Sequence, residues 1–183
     1  MTMHSGATDL LKPWIAWTLT DSAPDPETGL KAYQAMLPGD LPDDYTSVLL
    51  ALGQAVSLEP NDIMTVEPPP QPDPKYFTNV GPNQQFSKLY GLGGGPLDPD
   101  NVAAMWSLIG ADMPKGLVPI GESTGDQICL DVSEAGNGRI YHWFLEGDLG
   151  PDVDGHRGWG NTFLLAHSFT DLCARLRPPP SEV

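Results

Sequence analysis

The chain has 183 residues, with 24 Asp and Glu against 9 Lys and Arg, for a formal net charge of −15. That length predicts one domain with room for a real core, and 40% hydrophobic residues exclude a chain too polar to fold. The charge repels phosphates and anionic lipid headgroups, so it excludes direct binding to nucleic acid or a membrane surface and favours a basic protein partner; its plainer reading is solubility.

The opening MTMHSGATDLL lacks a basic stretch followed by an apolar core, so no secretory leader is expected. No apolar run approaches the roughly 18 residues that span a bilayer. Residues 8–19 predict a short helix, with Pro13 in its first turn and Trp14 and Trp17 on the buried side. Asp25 is placed to cap a second helix with Pro26 at its first position, and Leu30, Tyr33 and Leu37 then share one face. LPGDLPDD is a turn. Residues 45–56 are apolar at helical spacing through Tyr45, Val48, Leu49 and Leu52. Residues 59–74 are acidic and Pro-rich (EPPPQPDP) and predict an extended surface loop.

QQFSKLYGL predicts a strand ending at Gly91, and residues 98–109 a helix with Val102, Met105, Trp106 and Ile109 on one face. Residues 117–145 read as three strands and two turns. Leu117, Val118 and Ile120 lead into the first turn, at 121–125. Ile128, Leu130 and Val132 then alternate with Gln127, Cys129 and Asp131, and a turn at 134–138 precedes Ile140, Tyr141, Trp143 and Phe144. Period-two alternation broken by Gly, Asn and Asp predicts antiparallel hairpins. After a Gly/Asp loop at 148–160, residues 161–166 predict a strand. Ser168 and Asp171 have capping-box spacing for a last helix whose apolar face is Phe169, Leu172 and Leu176, stopped by the prolines at 178–180. The fold class expected is α+β: a single domain, mostly antiparallel sheet, flanked by N-terminal helices and a closing C-terminal helix. Its core spans about residues 30–177, with 1–29 as an N-terminal extension and 67–74 as a Pro-rich loop.

Several motifs suggest chemistry, and each has a plainer alternative. Gly121-Glu122-Ser123-Thr124-Gly125 matches G-x-S-x-G, and Asp152 or Asp154 with His156 or His167 follow in hydrolase order. A nucleophile elbow needs a helix after the serine, whereas DQICLDV is β-patterned. A polar hairpin turn, with unusual backbone angles at Gly121 and Gly125, is the reading taken. Gly91-Leu92-Gly93-Gly94-Gly95 lacks both the third dinucleotide glycine, replaced by Pro96, and a Gly-Lys-Ser/Thr, so it is read as a structural turn. No metal motif is present: His142, His156 and His167 have no ligand spacing, and His142, between Tyr141 and Trp143, is expected to be packed or on the surface. Cys129 and Cys173 are expected as buried thiols, which fits a reducing cytoplasm. Trp106 and Trp143 are core candidates, and Trp159, in a glycine-rich loop, is a contact candidate. Residues 21–74 hold ten acids and one base, Lys31; Glu146, Asp148, Asp152 and Asp154 form a second cluster. Either is a possible docking surface, and the plainer reading of either is a solvated face.

Five segments in order resemble the SUKH superfamily, which includes fungal cell-wall-assembly regulators and many bacterial immunity proteins. They are LPDDYTSVLLAL, FSKLYGLGGG, LVPIGESTGDQICLDV, GRIYHWF and FLLAHSFTDLCARL, together covering roughly residues 30–176. The chain departs from the family pattern at LGQAVSLEP, which lacks the usual Asn-Gly-Gly, and at the Pro-rich and 148–160 insertions. The resemblance implies structural roles for Gly125, Asp126 and Phe169 and carries over no catalytic residue or cofactor. It implies a non-enzymatic binding protein like the immunity proteins, which neutralise a toxin, in many cases a basic nuclease. The contacts expected are Glu146, Asp148, Asp152 and Asp154, with Trp159 as apolar anchor. The alternatives are a regulatory or scaffold module for endogenous proteins, and a small hydrolase using Ser123.

Overall fold

Local side chains start and stop the helices. The structure is a computed structural model describing residues 6–64, 83–136, 138–145, 159–160 and 162–179. Helix α1 is Ala7–Leu11, and α2 is Pro26–Gln34, where the Asp25 carboxylate accepts from the Thr28 N–H at 3.1 Å. Hydrogen bonding by the Thr28 side chain, and next by its N–H, lowers the Asp25 pKa, because the ionised form accepts such bonds best. Helix α3 is Asp43–Leu52, with two acids in its first turn and Gly53 in the left-handed region after its end. Helix α4 is Val102–Ile109, with the Asn101 side chain accepting from Ala103 and Ala104 N–H groups at 3.0 Å each. Helix α5 is Phe169–Arg175; the Ser168 hydroxyl accepts from the Asp171 N–H at 3.0 Å, as the capping spacing predicts. The return bond differs by one residue: Asp171 accepts from the His167 N–H, also at 3.0 Å.

Among the described residues the strands are β1 Ile15–Thr18, β2 Val56–Leu58, β3 Ile63–Met64, β4 Asn83–Gln84, β5 Lys88–Leu89, β6 Leu117–Ser123, β7 Asp126–Asp131, β8 Ile140–Trp143 and β9 Thr162–Ala166. Seven form one antiparallel sheet in the order β1-β2-β5-β6-β7-β8-β9, and β3 pairs β4 separately. The architecture is the expected α+β arrangement, with helices before the long strands and one after them.

Three local expectations are corrected. Residues 8–19 do not form one helix: after a 3₁₀ turn at Lys12–Trp14 the chain extends and β1 pairs with β2. Pro13 removes a helix-propagating N–H, and the sheet edge offers Ile15 and Trp17 partners the helix lacks. Trp17 is consequently 62% exposed rather than buried. The third helix stops at Leu52, and Val56 is already in β2. Only Lys88–Leu89 of QQFSKLYGL joins the main sheet. Residues 7–18 contribute α1 and the edge strand β1 to the same folded body as the rest of the described chain.

The register sorts the core into two faces. Cα partners run Val118↔Leu130↔Ile140 and Gly121↔Ile128↔His142, so these residues share one face. That face carries the larger apolar cluster, including Tyr33, Tyr45, Val48, Leu49, Phe169 and Leu172 from the helices. Fully burying each of the apolar ones, Val48, Leu49, Phe169 and Leu172, contributes about 1.5–3 kcal/mol; the buried Tyr33 and Tyr45 hydroxyls have no hydrogen-bond partner, which offsets part of what their rings contribute. Tyr45 meets Phe169 edge-on, with ring centroids 5.1 Å apart. Beside that contact the Asp44 carboxylate accepts from both the Thr170 N–H (2.8 Å) and the Thr170 hydroxyl (2.9 Å), tying α3 to the start of α5. The opposite face holds Leu117, Cys129 and Trp143 with Met113, and Trp106, Ile109, Tyr141 and Trp159 pack on it. Trp106 touches both clusters, and its Nε1–H donates to the Met36 carbonyl at 3.2 Å.

Candidate functional site

The hairpin at the end of β6 decides the serine question. Ser123 and Asp126 are Cα partners, so Thr124 and Gly125 are a two-residue loop, with φ of 45° and 99°. Two successive positive φ values mark the hairpin turn whose twist matches the flanking strands. Ser123 is a strand residue, 1% exposed, and a strand rather than a helix follows it. His167 is exposed just before α5, and His156 lies outside the described residues. Gly125 supplies the second positive φ of that turn. Gly121 has none: its φ is ordinary, and the constraint is space. A Cβ there would run into the Lys88 carbonyl and the Phe86 ring, at the point where β6 bulges between Pro119 and Gly121.

Asp126 does more than turn the chain. Its Oδ1 accepts from the Leu145 N–H at 2.9 Å, and its Oδ2 lies 3.6 Å from His142 Nε2. His142 is 1% exposed and packs its ring on Phe144 at 4.1 Å. It is thus a packed histidine, and both ring nitrogens are buried without a hydrogen bond. Asp126 pins the chain immediately before the acidic stretch Glu146, Asp148, Asp152 and Asp154; those four residues lie outside the described residues. The stretch ends at Trp159, which is half-buried. Its ring stands edge-on to Tyr141 at 5.2 Å, and its carbonyl accepts from the Thr162 hydroxyl at 2.7 Å. Both flanks of the acidic stretch are thereby tied to strand β8 and its neighbours. Phe169 is fully buried in the core.

Sequence spacing gave no warning of a second polar cluster. Lys88 on β5 pairs with Asp100 at 2.8 Å and with Glu122 of β6 at 3.1 Å. Partial burial pulls the ammonium pKa down, and the bonds to Asp100 and Glu122 more than offset it, leaving it above the usual lysine range. Nearby, the Tyr90 hydroxyl donates to Gln127 Oε1 at 2.9 Å, and burial raises its pKa. Asn61, also buried, donates to the Glu59 and Phe86 carbonyls at 2.8 Å and accepts from the Phe86 N–H at 2.9 Å, joining the two sheets. These groups satisfy one another, the behaviour of structural polar residues.

Neither cysteine is poised as a nucleophile. Burial pushes the Cys173 thiol up to about 12 and Cys129 well above its ordinary value, and both are free thiols. Among the described residues no group of three or more His, Cys, Asp or Glu side chains converges as a metal site. Among them also, no helix is long and apolar enough to cross a membrane.

The glycine-rich loop is structural. A Cβ on Gly91 would strike the Gln54–Ala55 backbone, and one on Gly93 the Asp21 carbonyl, so these glycines allow close chain approach. Beyond them Leu97 and Leu108 stand exposed beside each other's elements, lining an apolar groove with Pro96, Pro99 and Met105.

No match was found among curated proteins. None was found among solved structures. The model of the SMI1 / KNR4 family (SUKH-1) matches residues 26–175, from the first residue of α2 to the last of α5. That match covers well over half of the 183 residues, so the chain belongs to the SMI1 / KNR4 family (SUKH-1).

Proposed function

We propose that this chain is a non-enzymatic protein-binding module that neutralises a basic toxin domain, in the manner of the immunity proteins it resembles. The observation that carries the proposal is the charge: −15 on 183 residues of a binding family. A nuclease must present a basic surface to hold phosphates, and an acidic inhibitor is steered to that surface and competes for it. Glu146, Asp148, Asp152 and Asp154 are the proposed rim, and Trp159 the proposed apolar anchor. The two buried thiols fit action in a reducing cytoplasm.

The test is capture of partners from native lysate by the tagged chain at low salt, with mass spectrometry of what elutes. A single basic, toxin-like protein released by rising salt supports the proposal, as does a toxin gene beside this one. Neutralising the four rim acids then slows association, on the order of tenfold, and flattens its salt dependence. Trp159→Ala speeds dissociation instead. Capture of housekeeping assembly factors alone overturns the toxin reading in favour of a scaffold role. The hydrolase alternative is opposed by burial of Ser123, and any ester or phosphodiester hydrolysis that survives Ser123→Ala ends it.

A further inference from the structure

We infer that the groove between the 96–99 loop and α4 is a docking site for a protein segment that presents apolar side chains among lysines or arginines. This deepens the binding reading above and rests on it. Leu97 is 94% exposed and Leu108 73% exposed. Scattered surface leucines are ordinary, but these two line one concavity of about 270 Å³ together with Pro96, Pro99 and Met105. An exposed leucine gains most of its transfer free energy only when a partner covers it.

The groove is already shaped. Asn101 Nδ2 donates to the Leu92 and Gly93 carbonyls at 3.2 and 3.0 Å, and the Asp98 N–H donates to the Gly95 carbonyl at 3.0 Å. Asp98 Oδ1 accepts from the Asp100 N–H at 2.9 Å. A partner therefore meets an ordered loop and is spared the entropy of ordering it.

Charge selects the occupant. Between Lys88 and Lys115 the chain has no Lys, Arg or His, but it has Asp98, Asp100 and Asp112. Asp98 lines the groove, Asp100 is tied to Lys88, and Asp112 is exposed in the turn after α4. A second copy would bring these carboxylates, and a net charge of −15, against their like. The Pro-rich stretch at 67–74 carries Glu67 and Asp73 and no base, so it suffers the same repulsion. A basic amphipathic segment gains on both counts, with leucine-sized side chains in the groove and a cation beside Asp98, which lines it.

The probe is a fluorescent amphipathic peptide of leucines at helical spacing with lysines between, titrated against the full chain. A glutamate-for-lysine analogue is the control. The lysine peptide is expected to bind, to weaken as salt rises, and to shift the amide resonances of Leu97, Asp98 and Ala104 to Leu108. Leu97→Ser/Leu108→Ser should weaken it about tenfold or more while leaving the thermal melt in place, since both side chains are exposed. The glutamate analogue should not bind. No binding of the lysine peptide, equal binding to the double variant, or shifts centred elsewhere overturns the inference. So does sedimentation showing a dimer that the double variant abolishes, which would make a second copy the occupant. Spectral changes in residues 65–74 on mutating the leucines, without peptide, would assign the groove to the chain's own loop and equally overturn it. Lysate capture that yields no basic partner refutes the proposed function and leaves the peptide result standing; the reverse pattern refutes the groove alone.

Discussion

Thr124 sits where an L-residue with a branched Cβ is least comfortable. Its φ is 45°, it is followed by Gly125 at 99°, and together they are the whole loop between β6 and β7. The left-handed region costs an L-residue roughly 1–2 kcal/mol, and asparagine tolerates it far better than threonine. Thr124 is exposed, so replacing it loses little packing. Thr124→Asn should therefore stabilise the fold by about 0.5–1 kcal/mol. For a chain of this size that raises Tm by about 1–4 °C. Gly125→Ala should move stability the other way by about 1–2 kcal/mol; a Cβ there meets nothing within 4 Å, so the loss is purely torsional. Urea unfolding of the two variants beside the parent, with unchanged slope, measures both. A less stable Thr124→Asn, or a neutral Gly125→Ala, would refute the hairpin geometry and reopen the serine-elbow reading.

Three further outcomes are expected. Asp44→Ala removes an acceptor of two Thr170 bonds and should cost about 1.5–3 kcal/mol, and a cycle with Thr170→Val should show coupling of about 1 kcal/mol; additivity would mean that the α3–α5 tie is idle. Lys88 has its folded pKa above the unfolded value, so its ion pairs contribute stability fully below the ordinary lysine pKa of about 10.4, and that contribution is lost as pH rises through the folded value. Lys88→Met should accordingly narrow the gap from the parent above that pH, and parallel stability curves in the alkaline range would count against the network. Cys129 and Cys173 should resist a thiol reagent in the native protein at mildly alkaline pH and both react after denaturation, whereas fast native labelling of either would contradict its burial.

Much of the candidate site was legible in the residues themselves, for local reasons. The strand after Ser123 was visible as alternation of Ile128 and Leu130 with Gln127 and Cys129, and that alone argued against an elbow. The positive φ at Gly125 followed from turn chemistry. The space constraint at Gly121 did not, because it depends on Lys88 and Phe86, which lie more than thirty residues away. The Lys88–Asp100–Glu122 cluster was hidden for the same reason: its members come from β5, β6 and the loop before α4. The Leu97–Leu108 groove was equally invisible, since nothing in the spacing of two leucines says that they share a surface.

What the amino-acid order determined is therefore whatever a helix or strand decides over its own few turns. Asp25 with Pro26, Asn101, and Ser168 with Asp171 set helix starts through bonds to N–H groups two or three residues away. The apolar period of 3.6 sets which faces of α2 and α3 turn inward, and the period of 2 marks β7 and β8 as strands, both faces of which the fold covers. The tertiary structure decided the rest. Strands of two or three residues, such as β2 and β5, have no period to display and exist because neighbouring strands supply their hydrogen bonds. It drew Ile15–Thr18 out of a helical reading to become the sheet edge. It also tied the two flanks of the acidic stretch to the sheet, Leu145 to Asp126 of β7 and Trp159 to Tyr141 of β8. Pairing across the sheet is a contact between residues far apart in the chain, so its free energy is absent from any local window and appears only when the whole core closes.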